Sequence, residues 1–242
     1  MDTQALKEYI RSLGVSDIGF SQVKEVAPSQ WAEYHYAITY VIQLSHGIVN
    51  DIKDQPTETY FSHYRSVNYH INEITLRTTI ELQNYGYKAI AIPASQSLHD
   101  APYYGAFPHK TAATLAGLGW IGKSGLFVHH KFGPRVRLGT ILTNKELSIG
   151  TPIIASKCGN CNLCASHCPA MAIEGVNWEQ GMERKQIFDA HACSMHMKEK
   201  FQHIGRGSVC GICMSICPIG NGFPKGNRRF IVLNISSKLK GV

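Results

Sequence analysis

The sequence predicts a mixed α/β domain of α+β type over residues 1–150, followed by a small cysteine-built domain over 151–242. Three observations lead there. All eight cysteines fall between Cys158 and Cys217, and the first 157 residues contain none. The cysteine-free part alternates helix-period and strand-length apolar patterns. A chain of 242 residues with 44% hydrophobic and 17% charged residues is globular and long enough to bury a core. No apolar run reaches the roughly 20 residues of a membrane-spanning helix. The N-terminus carries Asp2, Lys7 and Glu8 and lacks an apolar signal core, so a cytoplasmic location without a membrane partner is expected.

Element by element, Ala5, Leu6, Tyr9, Ile10 and Leu13 make one helical face over 3–13, with Gly14 as its stop. Ala37–Leu44 is a strand-length run expected to be buried on both faces. Tyr60, Tyr64, Val67, Ile71, Ile74, Thr78, Leu82 and Tyr85 recur at helical spacing over 58–85, before Gly86. Residues 88–92 read as a strand closed by Pro93, and 94–108 as an irregular loop of a length that is often functional. A short helix is expected over 109–118, a glycine-punctuated turn over 117–123, and strands over 126–129 and 136–142. The domain boundary falls near 149–156.

The cysteines carry the chemistry. Cys158, Cys161, Cys164 and Cys168 form C-x2-C-x2-C-x3-C before Pro169, and Cys210, Cys213 and Cys217 repeat C-x2-C-x3-C before Pro218. Three thiolates at this spacing wrap one cubane, and the fourth, followed by proline, reaches a second. The two-cluster ferredoxin rule then assigns Cys158, Cys161, Cys164 and Cys217 to cluster one. Cluster two takes Cys193, Cys210, Cys213 and Cys168. The opposing reading is a pair of four-cysteine zinc sites, which rarely use a run that sends its fourth ligand elsewhere. Disulfides would be spread over the chain rather than gathered at one end. The formal charge of +7, from 24 Lys plus Arg against 17 Asp plus Glu, falls to about +3 with two such clusters, so charge is weak support for a nucleic-acid partner.

Gly117, Gly119 and Gly122 let backbone approach a flat or phosphorylated ligand, with Trp120 and Lys123 beside them. G-L-G-W-I-G follows a helix pattern rather than a strand, so it is not a dinucleotide fingerprint. A tight turn around a buried Trp120 is the plain alternative. The order AGLGWIGK (116–123), GPRVRLGTILTN (133–144) and the cysteine array resembles the corrinoid-dependent iron–sulfur reductases, namely epoxyqueuosine reductases and the catalytic part of reductive dehalogenases. The resemblance covers roughly 90–222. It implies a nitroreductase-like first domain that holds cobalamin base-off against a ferredoxin-like domain with two [4Fe–4S] clusters. Gly117, Gly119, Trp120, Gly122, Lys123, Arg135, Arg137 and Gly139 would bind the corrinoid. Electrons would come from a low-potential donor such as ferredoxin or flavodoxin and reach a small-molecule substrate, or tRNA. The nitroreductase-like fold also binds flavin mononucleotide, and a non-catalytic electron carrier is a further alternative.

The epoxyqueuosine reductases carry an Asp-x-x-Pro segment whose Asp donates a proton, whereas this chain reads His99-Asp100-Ala101-Pro102-Tyr103-Tyr104. Asp100, Tyr103 and Tyr104 are therefore the candidate acids. A tyrosine acid needs a nearby cation, and Lys123, Arg135 and Arg137 are the candidates. Those reductases continue into a helical-repeat domain, while this sequence ends 25 residues after Cys217. Its last stretch carries Lys225, Arg228, Arg229, Lys238 and Lys240 around an expected strand at 230–235.

Overall fold

A computed structural model describes residues 2–101 and 103–221. The basic stretch after Cys217 and its expected strand at 230–235 lie outside them.

The first 150 residues build one antiparallel sheet in the order β1–β2–β6–β3, from β1 (Asp17–Gln22), β2 (Tyr36–Gln43), β3 (Ala89–Ile92) and β6 (Val136–Thr143). Strand β2 is apolar at almost every position because both faces of the sheet are covered. Ile38, Tyr40 and Ile42 face one buried cluster together with α1 (Thr3–Ser12) and α3 (Glu58–Asn84). Ala37 and Val41 face the other side, where α4 (His109–Leu115) packs through Ala112, Ala113 and Ala116.

Both long helices start at side-chain caps. The Asp2 carboxylate accepts from Ala5 N at 2.8 Å, and Thr57 Oγ1 accepts from Tyr60 N at 3.0 Å, each a contribution of about 1 kcal/mol. Gly14 and Gly86 follow with φ of +93° and +79°, the left-handed stop that glycine favours.

Three expectations are corrected. Strand β1 was not anticipated, because Asp17, Gly19 and Gln22 interrupt its apolar pattern at the sheet edge. The helix at 109 ends at Leu115, ahead of Gly117 with φ +75°. The glycine segment is then largely strand. Gly119–Ile121 (β4) pairs with Phe127–His129 (β5), and the tight turn lies at 122–125, closed by Gly125 N to Gly122 O at 2.8 Å.

The cysteine-bearing part is made of short pieces: α7 (Ile212–Ser215) packs on α5 (Leu163–Ser166) and lies beside α2 (His46–Asn50) of the first part, and α6 (Ala190–Lys200) follows a loop that ends near Ile187. It does not bury a separate core. Phe201, Val209, Ile212 and Met214 join the cluster of α1 and α3, while Trp178 and Ile187 pack with Trp120 and Val128. The segment between the two parts is pinned by Gly150 N to Phe20 O at 2.9 Å, Ile153 N to Thr114 O at 2.9 Å and Ser156 N to Trp178 O at 2.7 Å. Among the described residues no helix is long and apolar enough to cross a membrane.

Gly139 shows how tightly the sheet is packed. It sits opposite Tyr40, whose hydroxyl donates to Ile71 O at 2.6 Å, and a Cβ on Gly139 would lie 2.2 Å from the tyrosine ring. Gly139→Ala is expected to cost about 2–3 kcal/mol, read as a lower urea midpoint. His109 bridges α4 to the sheet: its Nε2–H donates to Pro93 O at 3.0 Å and its Nδ1 faces Thr140 Oγ1 at 2.8 Å. Burial holds this imidazole down to about 4 from an ordinary 6.5. The unfolded chain therefore binds a proton that the folded chain refuses, so His109 stabilises fully above pH 6.5 and loses that contribution as the pH falls toward 4. Urea melts across this window are expected to be flatter for His109→Gln.

Candidate cluster and cofactor site

All eight cysteines are free thiols. Cys158 and Cys161 lie on the loop before α5 and Cys164 within it. Cys168 follows that helix, Cys193 lies on α6, Cys210 precedes α7, Cys213 lies in it, and Cys217 follows it. The fold gathers them into two groups. Cys217 has Cys158 and Cys164 as sulfur neighbours, and Cys164 has Cys158 and Cys161. Cys193 has Cys210 and Cys168, and Cys213 adds Cys210, Cys193 and Cys168, with Cys164 on the side of the other group.

Burial first, and neighbouring sulfurs second, push these thiols up: Cys193 to about 12 and Cys213 still higher. Cys217 rises to about 11, with the Arg135 cation opposing. Four thiolates crowded together need a cationic core to be stable. No three cysteine sulfurs lie within 4.8 Å of one another among the described residues.

Arg135 ties the sheet to the second group of cysteines in sequence. Only 1% exposed, it donates from Nη2 to Ser215 O at 2.7 Å and Asn221 Oδ1 at 3.0 Å. Its Nη1 donates to Cys217 O at 3.1 Å and reaches Ile219 O at 3.5 Å. Beside it, Gly133 (φ +59°) and Gly220 (φ +74°) cross so closely that a Cβ on Gly133 would lie 1.8 Å from Ile219 O. The Arg135 Nε–H and the Trp120 indole N–H are both buried without an acceptor among the described residues. Trp120 packs in the same apolar group as Cys158.

A cavity of about 750 Å³ opens where the two parts meet. Its walls come from α3 (Tyr64), β6 (Val136, Arg137), the 94–108 loop, and the second part through Trp178, Arg184 and Met214. Met214 is the neighbour of Cys213, so one wall of the cavity abuts the second cysteine group.

The predicted site residues divide. Tyr103, Tyr104 and Arg137 line the cavity, whereas Asp100 does not. Asp100 is 99% exposed and bonds only His99, at 2.8 Å, because its turn projects away from the body. Gly117, Gly119, Trp120, Gly122, Lys123, Arg135 and Gly139 are also absent from the cavity walls. The space left by Gly117 and Gly119 is taken by Thr151 O and Val128 O, and a Cβ on Gly122 would come 3.6 Å from Cys158 Sγ. Lys123 Nζ donates to Asn162 Oδ1 at 2.8 Å, inside the first cysteine loop. The glycine segment therefore cradles the first cysteine group, and Gly139 accommodates Tyr40.

The cation beside Tyr104 is Arg184, 4.0 Å above its ring, rather than Lys123, Arg135 or Arg137. Arg184 Nη1 also donates to Tyr103 O at 2.6 Å, holding Tyr103 at φ +69°. Arg137 instead covers the Tyr64 ring at 4.3 Å. Burial pushes the Tyr64 phenol up, but Arg137 and hydrogen bonds with Ser95 and Asn68 outweigh it, and the net shift is downward. Tyr64, Lys110 and Arg184 escaped the sequence reading; only the helical spacing of Tyr64 was visible, and it reads as core.

The family described as 4Fe-4S double cluster binding domain matches residues 157–220. The epoxyqueuosine reductase of Lactococcus garvieae (strain Lg2) is 31% identical over 121 residues, 49% of this chain and 33% of that protein. The tetrachloroethene reductive dehalogenase of Sulfurospirillum multivorans is 32% identical over 123 residues, 48% of this chain and 23% of that protein. The chain thus spans a third or less of these two relatives. In fold, a reductive dehalogenase superposes with a TM-score of 0.68 at 20% identity, covering 89% of this chain and 31% of that one. An epoxyqueuosine reductase superposes at 0.59 and 19% identity, covering 90% and 65%. Its double-cluster domain over residues 157–220, its sequence relatives and its fold make the chain similar to the iron–sulfur reductases, among them the epoxyqueuosine reductases and the reductive dehalogenases.

Proposed function

We propose that this chain is a reductase in which two [4Fe–4S] clusters deliver electrons to a base-off corrinoid in the cavity, where a bound substrate is reduced. The observation that carries this reading is the cavity itself. It is of ligand size, open, and walled on one side by Met214 next to Cys213. A mere electron carrier has no use for it.

The proposed ligands are Cys158, Cys161, Cys164 and Cys217 for cluster one, and Cys168, Cys193, Cys210 and Cys213 for cluster two. The residues present suit such cores: raised thiols need a cation, and the N–H groups of Arg135 and Trp120 without an acceptor among the described residues, on residues near Cys217 and Cys158, would be available to cluster sulfur. Hydrogen bonds of this kind raise a cluster's potential. Exposed Cys161 marks the side where a ferredoxin or flavodoxin would dock, and buried Cys213 marks the side facing the cavity.

The corrinoid suits the cavity in one further respect. His109 is the histidine on its walls, and both ring nitrogens are already engaged. Among the described residues, no cavity-lining imidazole would be left free to ligate a bound corrinoid. Bound in this place, a corrinoid would supply a strongly reducing metal centre. The chain's own part is to position, to exclude water and to hold a proton. Residues 1–150 would form the nitroreductase-like half. Arg137 and Ser95 would hold the Tyr64 hydroxyl and stabilise its phenolate after proton release, while Tyr103 and Tyr104 close the mouth. Asp100, exposed, is not assigned this role. One solved epoxyqueuosine reductase is in complex with an epoxyqueuosine-modified tRNA stem loop, so modified tRNA belongs beside small molecules in a substrate screen.

Anaerobic reconstitution is expected to give about eight irons per chain and a base-off cobalt signal when cob(II)alamin is titrated and followed by EPR. The iron count without any cobalt response would sink the corrinoid and leave a flavin or a carrier. Cys217→Ser is expected to damage the cluster of Cys158, Cys161 and Cys164, and Cys168→Ser that of Cys193, Cys210 and Cys213. Mössbauer or EPR spectra showing each variant damaging the cluster of its own half-motif would refute the crossed pairing. Trp120→Phe, which removes one orphaned donor, is expected to shift one cluster to a more negative potential in redox titration.

A further inference from the structure

Among the described residues, three cations line the cavity, Lys110, Arg137 and Arg184, and no aspartate or glutamate does. None of the three forms an ion pair among the described residues. Lys110 Nζ donates to Gly125 O at 2.6 Å. Arg184 donates to Tyr103 O and stacks on Tyr104. Arg137 donates from Nε to Asn68 Oδ1 at 3.0 Å and from Nη2 to Ala94 O at 3.2 Å. Neutral acceptors satisfy some of their N–H groups and leave the charges uncompensated. All three are half-buried, where a facing charge would be only partly screened by water. Burial first, and then the Arg184 cation, lower the Lys110 ammonium to about 8. Elsewhere the chain does pair its cations, as in Arg77 with Glu73 at 2.8 Å and Lys185 with Glu183 at 2.8 Å.

We infer that the cavity is an oxyanion site: its ligand brings a carboxylate or phosphate that binds the free guanidinium N–H groups of Arg137, within the positive field of Lys110 and Arg184. Tyr64, under the Arg137 guanidinium and 3.5 Å from Ser95 Oγ, adds a hydroxyl on the same wall. The geometry suits a planar two-oxygen group, which a guanidinium meets with parallel bonds. The inference rests on the cavity being the ligand site, but not on a corrinoid filling it. The oxyanion has two sources, an acidic substrate or the nucleotide-loop phosphate of a cobalamin.

Calorimetry on the iron-loaded full chain tests it, with benzoate against its uncharged isostere benzamide, and with inorganic phosphate as a third probe. Benzoate is expected to bind at least about tenfold tighter than benzamide, a difference of about 1.4 kcal/mol. Arg137→Gln is expected to bring the two to parity and Arg137→Lys to restore part of the gap. Lys110→Gln and Arg184→Gln, on other elements, are expected to weaken benzoate alone, which keeps the test standing if an Arg137 variant folds poorly. Equal binding of benzoate and benzamide to the wild type, or an unchanged gap in Arg137→Gln, overturns the inference.

Cobalamin and cobinamide, which lacks the nucleotide phosphate, separate the sources. If Arg137→Gln weakens cobalamin but not cobinamide, the oxyanion is the cofactor's. If both corrinoids bind as in the wild type while the benzoate preference is lost, it is the substrate's. Failure of both corrinoids to bind removes the corrinoid reading and leaves the benzoate comparison to decide the oxyanion site.

Discussion

The Arg135 fork is the contact on which the architecture turns. A guanidinium rarely lies fully buried without a carboxylate, because withdrawing it from water is costly. Here the compensation comes from peptide oxygens: Ser215, Cys217 and Ile219 turn their carbonyls inward, and Asn221 adds its amide oxygen. The charge thus fixes the chain just beyond α7, where the last cysteine must reach back to the first group. Crossing of Gly133 and Gly220 brings the two backbones close enough for it. Remove the cation and three inward carbonyls and the Asn221 amide oxygen lose their donor; remove the glycines and the approach itself is blocked.

From that junction the remaining design follows. The first cysteine group lies against the β4–β5 hairpin, with Gly122 leaving room for the Val128 side chain close to Cys158 and Lys123 bracing the loop at Asn162. The second group lies against α3 and shares the core with Ile52 and Tyr60. Between them, the sheet, α3 and the second part leave a space that neither half encloses alone. Arg184 closes it from the far side by stacking on Tyr104 and holding the Tyr103 carbonyl. A tyrosine held at positive φ costs on the order of 1–3 kcal/mol, which the Arg184 contacts offset.

What could be read from the sequence was local or tied to covalent spacing. The cysteine runs announced a double-cluster domain, because ligand spacing is a property of consecutive residues. Helix α3 was visible within a residue or two, since its buried side chains repeat every three or four positions. The cavity was not visible. Tyr64 and Arg137 are 73 positions apart in sequence, and Arg184 meets a loop some 80 positions before it. No periodicity encodes such meetings. The glycines misled for a related reason. A glycine reports that something approaches closely, but not what: at Gly119 it is the Val128 carbonyl, and at Gly139 the Tyr40 ring.

Because Trp178, Arg184, Ile187 and Met214 belong to the cysteine-bearing part and yet wall the cavity, ligand binding and metal loading are linked equilibria. Iron held by the proposed cluster ligands would steady the short helices around Cys164, Cys193 and Cys213 that complete the pocket, and a ligand seated there would favour the metallated form in return.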